Sequence, residues 1–198
     1  MSDLNRALTD ITAIREQLLA GSVYQGFGPL VMAVTAVLAA VGWLLQSLEV
    51  APAAGTGYIL FWLIIAAVAA AISVVEALAR GHRRHGGLAD KLLFAAIERF
   101  IPSLVAGGAI TAAFLMGAPD LLWLLPGIWQ ILVALGLAAA ARQLPGHLLI
   151  AAAWYLLCGI AVLMIAFSSR SLDPAMMGLP FLGGQLLVAG LLRFAEED

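Results

Sequence analysis

Six stretches of this sequence stay apolar for 17 to 22 residues at a time, and no other feature constrains the fold as much. They cover residues 30–48, 58–79, 100–117, 121–141, 148–168 and 176–192. A helix rises about 1.5 Å per residue and the hydrocarbon core of a bilayer is about 30 Å thick, so each stretch is long enough to cross it once. In hydrocarbon every backbone N–H and C=O must find its partner inside the chain, which leaves helices as the solution for segments of this length. Composition agrees: 63% of residues are hydrophobic and only 11% charged, against about 25% charged in a soluble domain. The expected fold is all-α, a polytopic membrane bundle of six transmembrane helices. It would occupy residues 22–193, after an N-terminal helix in 1–21 and before a short acidic tail, 194–198.

Orientation follows from the arginines. The densest positive run is Arg80-Gly-His-Arg-Arg84, between the second and third spans. With the N-terminus inside, Arg6, Arg15, Arg80, Arg83, Arg84, Lys91, Arg99, Arg142 and Arg193 all fall on the inner side, and Arg170 alone falls outside. Lysine and arginine concentrate in cytoplasmic loops. The chain is therefore expected in a bacterial inner membrane with both termini cytoplasmic. The N-terminal region, with Asp3, Asp10 and Glu16 ahead of the first apolar run, lacks the pattern of a cleavable signal peptide. The outer connections are short, and Ala118-Pro119-Asp120 is tight enough to make spans three and four antiparallel neighbours. Span three is expected to continue a helix that starts near Leu88, with Pro102 kinking or breaking it. Trp43, Tyr58, Trp62, Trp123 and Phe167 are expected at the outer headgroup level, with Tyr24, Phe27 and Phe194 at the inner one.

Residues 3–20 have the period of an amphipathic helix. Leu4, Ala7, Ile11, Ile14 and Leu18 recur at steps of three and four, and Gly21 is a natural stop. Its polar face has three acids and two arginines, a poor match to an anionic lipid surface. Packing along the bundle's own inner end explains such a helix. So does docking or dimerisation through Leu4, Ile11 and Leu18.

The chemistry of the spans is sparse. Their centres carry no charge, whereas ion-coupled transporters keep ionisable groups there. Glu76 lies near the inner end of span two, four residues before Arg80, in the favourable order for a local ion pair. Gln130 and Gln185 are the deepest polar residues. Their amides must bond other helices or trapped water; facing one cavity, they would line a site for a small neutral or lipid-like solute. Pro126 and Pro180 precede them, and each frees a backbone carbonyl one turn earlier. His82, His85 and His147 fall on one side, but three arginines surround the first two and oppose a cation. No metal site or other cofactor is expected. Cys158 reads as a packing residue, and no catalytic triad or phosphate loop is visible. Ala66/Ala70, Gly107/Thr111 and Gly108/Ala112 have the spacing of close helix contacts.

Two further patterns bear on architecture. Lys91-Leu-Leu-Phe-Ala-Ala-Ile97 is similar to His147-Leu-Leu-Ile-Ala-Ala-Ala153, and the Pro126–Ala134 region is similar to Pro180–Ala189, at offsets of 54 to 56 residues. Spans three–four and five–six would then be related hairpins. The runs Ile97–Val105, Trp123-Leu-Leu-Pro-Gly-Ile-Trp129 and Ala153-Trp-Tyr-Leu-Leu157 resemble segments of small uncharacterised six-span bacterial inner-membrane proteins. That resemblance implies location and topology, and no activity. The expected function is a non-enzymatic regulatory or sensor subunit. It would dock a cytoplasmic protein through the N-terminal helix and a basic loop with Arg80, Arg83, Arg84 and Lys91. Four charges are too few for direct nucleic-acid binding. The alternative is a channel or transporter for a small neutral or lipid-like solute, which could work as a homo-oligomer.

Overall fold

The computed structural model describes residues 28–84, 87–140 and 148–197, with the backbone alone for 80–96, 148 and 194–197. The N-terminal segment with Leu4, Ile11 and Leu18, as well as His85, Arg142 and His147, lies outside the described residues. Among the described residues there are helices and no strands. They are α1 (Pro29–Ser47), α2 (Gly55–Arg84), α3 (Gly87–Gly117), a 3-10 helix (Pro119–Leu124), α4 (Leu125–Ala140), α5 (Leu148–Ser169) and α6 (Ala175–Glu197). Among the described residues six helices are long and apolar enough to cross a membrane, and each matches one of the six apolar stretches to within three residues at either end.

Local chemistry sets the ends. Gly28 is extended and Pro29 opens α1, where its missing N–H costs nothing. The far end of α1 closes with Glu49 in the left-handed region (φ 58°), while Val50 N–H reaches back to the Leu45 carbonyl at 2.9 Å. That is a Schellman-type stop built on a residue other than glycine. Asp173 starts α6, its carboxylate accepting the Ala175 N–H at 2.7 Å. Pro102 is carried inside α3 without ending it. Span four begins as a 3-10 turn and becomes α-helical at Leu125.

Each helix packs on its neighbours in sequence, and α6 closes the ring onto α1. The closest seams are α4–α5 and α1–α6. At the first, a Cβ added to Gly127 would stand 2.9 Å from the Gly159 carbonyl oxygen, so only two glycines let the backbones meet there. The small pairs Ala66/Ala70 and Gly108/Ala112 face outward instead, and Gly108 has nothing within 4 Å of its Cβ position. Four-residue spacing marks a flat helix face but not its direction.

Three apolar clusters fill the interior among the described residues; the smallest, Val162, Ala166 and Met176 with Trp123 packed on it, lies toward the end opposite Arg84. At the end that carries Arg84, one joins Val31, Met32, Ala77, Ala140, Ala151, Val188 and Leu192. At the opposite end, another joins Tyr58, Ile59, Trp62, Leu122, Leu125 and Met177. The outside is apolar as well: Leu104, Val105, Leu157, Met164 and Phe167 are all exposed. A continuous greasy exterior around a packed core requires hydrocarbon for solvent. The chain is a six-span membrane bundle.

Candidate functional site

The two ends of the bundle differ in build. On one side the connections are short: residues 48–54, the 3-10 turn after Gly117, and residues 170–174. On the other, α2 and α3 have 30 and 31 residues. Such helices are about 45 Å long, exceeding the hydrocarbon core by roughly 15 Å. Both carry charge at that end: Arg80, Arg83 and Arg84 on α2, and Asp90, Lys91, Glu98 and Arg99 on α3. These charged ends extend past the core as a helical hairpin. The expected basic loop is thus corrected. Arg80, Arg83 and Arg84 lie on the last turns of α2, and Lys91 lies on the second turn of α3. Arginine and alanine sustain a helix, and a single Gly81 is tolerated within it. His82 also lies on this stretch of α2. Glu76 is half-buried about one turn before Arg80.

Charged side chains in the spans keep to their end turns: Glu76, Glu98, Arg99, Asp120 and Arg193. Among the described residues no group of three or more His, Cys, Asp or Glu could hold a metal ion.

Gln130 is fully buried, and its Nε2 donates to the Met176 carbonyl at 2.7 Å. The partner has a sequence cause. Pro180, four residues after Met176, has no N–H to give that carbonyl. The α4 amide therefore caps the backbone acceptor that the α6 proline leaves open. Its other atom, Oε1, has no protein partner. Gln185 is half-buried and lies nine residues beyond Met176 on α6, about 13 Å along the axis. Their sequence-level equivalence therefore does not become equivalence of place: the structure does not bring Gln130 and Gln185 together on one partner.

Three polar contacts escaped the sequence reading. Gln46 is 1% exposed; its Oε1 accepts the Trp62 indole N–H at 2.8 Å while its Nε2 donates to the Pro52 carbonyl. The Tyr58 hydroxyl donates to the Asp173 carbonyl at 3.0 Å, tying α2 to the turn before α6. Trp129 donates to Thr111 Oγ1 at 2.9 Å, and that hydroxyl donates in turn to the Gly107 carbonyl. Tyr58 and Trp62 are thus internal staples and not headgroup anchors, a second correction. An aromatic with a polar handle satisfies either role, and only burial separates them. Their four-residue spacing, which puts both on one helix face, was the available signal.

Tyr155 also went unnoticed in sequence. It is 2% exposed, its ring lies tilted against Phe181 with centroids 5.2 Å apart, and its hydroxyl has no protein partner among the described residues. No protein-family model, curated protein or solved structure matches this chain.

Proposed function

We propose that this protein is a non-enzymatic regulatory or sensor subunit of a bacterial inner membrane, with both termini cytoplasmic. It docks a soluble cytoplasmic protein through the N-terminal amphipathic segment and the tip of the α2–α3 hairpin. The observation that carries this reading is the asymmetry of the ends. One side has only short turns, while the other extends two helices past the apolar core with Arg80, Arg83, Arg84 and Lys91 on them. Extending helices into water costs a bundle the burial of those turns, and presenting a surface is a use for it. The polar groups of the spans give catalysis little support: most are taken up in helix-to-helix hydrogen bonds. Conduction of a neutral solute is the competing reading. It needs Gln130 and Gln185 on a shared path, and Gln130 is instead fully buried with its Nε2 spent on the Met176 carbonyl.

Photo-crosslinking in cells tests the proposal on the full chain. Probes replace Ile11 and Lys91, with controls at Glu49 and Met116. One soluble protein captured from both test sites and from neither control is the expected result. Deleting residues 2–20 should abolish its capture from Lys91 while leaving the bundle's helix content intact. Capture that survives the deletion, or no capture from either test site, overturns the reading.

A further inference from the structure

Two buried polar side chains, Gln130 on α4 and Tyr155 on α5, lie within the apolar interior. On α4, Gln130 lies between Leu125 of one cluster and Ala140 of another. On α6, Gly184 lies between Phe181, packed on the first, and Val188, part of the second. On α5, Tyr155 follows Ala151 of the second cluster by one turn. The Tyr155 ring ends against Gly184, where any side chain would occupy its place.

One polar atom of each, Gln130 Oε1 and the Tyr155 hydroxyl, is buried and reached by no protein group among the described residues. The glutamine cannot be turned to relieve its own. Met176 offers an acceptor, so Nε2 must face it and Oε1 must be the atom left over. Buried polar groups in proteins are paired, and where the chain supplies no partner an ordered water commonly does. Lipid cannot stand in, since acyl chains donate no hydrogen bond.

We propose that each of these two groups is a binding site for water, one molecule held at Gln130 Oε1 and another at the Tyr155 hydroxyl. The occupants are neutral, because the charged side chains among the described residues of the spans keep to the end turns. Met176 and Gly184, which mark the two groups on α6, are eight residues apart, or about 12 Å along the helix. One molecule cannot serve both, so each group holds its own.

Water-edited solid-state NMR on the full-length protein in lipid bilayers, with glutamine, tyrosine and phenylalanine labelled, tests this. Gln46 is the internal reference: it is buried, lies nearer the membrane surface, and has both amide atoms bonded to protein. Polarisation should pass from water into Gln130 and Tyr155 faster than into Gln46. In Tyr155→Phe, which keeps the ring and the packing, transfer into residue 155 should be lost and transfer into Gln130 kept. Slower transfer into Gln130 and Tyr155 than into Gln46 overturns the proposal. So does transfer into residue 155 that is unchanged by removing the hydroxyl.

Discussion

The bond from Gln130 to Met176 makes a prediction that depends on a residue touching neither side chain directly. Replacing Gln130 with Leu keeps the volume but removes the donor, leaving the Met176 carbonyl without its 2.7 Å partner. No backbone N–H can take over, because position 180 is proline. An orphaned buried acceptor costs about 1–3 kcal/mol, and interhelical hydrogen bonds measured in membranes run from about 0.6 to 1.7 kcal/mol. Gln130→Leu should therefore destabilise the bundle by about 1–2 kcal/mol, or roughly fivefold to thirtyfold in the folded-to-unfolded ratio. In a Pro180→Ala background the carbonyl regains a helical N–H, and the same Gln130→Leu change should cost close to nothing. Reversible unfolding in mixed detergent micelles, run on all four proteins of the cycle, reads the coupling. A coupling of about 1 kcal/mol is expected. Equal losses in both backgrounds, with coupling under about 0.3 kcal/mol, would refute the claim that the glutamine substitutes for the N–H proline lacks.

Two further outcomes follow from the same packing. Gly159→Ala places a Cβ 2.8 Å from Ile131 Cγ1 and 2.9 Å from the Gly127 carbonyl; backbone cannot retreat, so a loss of about 1–3 kcal/mol is expected in the same unfolding assay. Gly108→Ala meets nothing within 4 Å and should be neutral, or stabilising by up to about 1 kcal/mol; similar losses at both sites would mean that the crossing is placed wrongly. For sidedness, a membrane-impermeant thiol reagent should label Glu49→Cys only from the periplasm and Arg83→Cys only from the cytoplasm, in a Cys158→Ser background. Labelling of both from one side would cancel the assigned orientation.

The fold was legible because its signal is repeated along whole segments. Residues 30–48 and 148–168 were delimited to within two residues of α1 and α5, since a span must be about as long as the core is thick. The continuation of α3 back to Gly87 was legible from Asp90 and Lys91, polar residues too close to span three for a separate element. The polar contacts were harder. Gln46 reads as the wet end of a span until the 48–54 turn folds over it and Trp62 reaches across. Gln130 was found, and so was the acceptor that Pro180 frees, but their meeting joins residues 46 positions apart. Tyr155 gave no signal at all, because an aromatic in an apolar run looks alike whether its hydroxyl is paired or not.

What the chain's order of residues determines alone is a property of each segment against its solvent: six helices, their lengths, and the end on which arginine gathers. These depend on transfer from water to hydrocarbon, which acts residue by residue. Which faces meet was decided only in three dimensions. Lipid and core are equally apolar, so hydropathy cannot tell the outward Gly108 from the inward Gly159, and close packing and hydrogen-bond geometry make the choice.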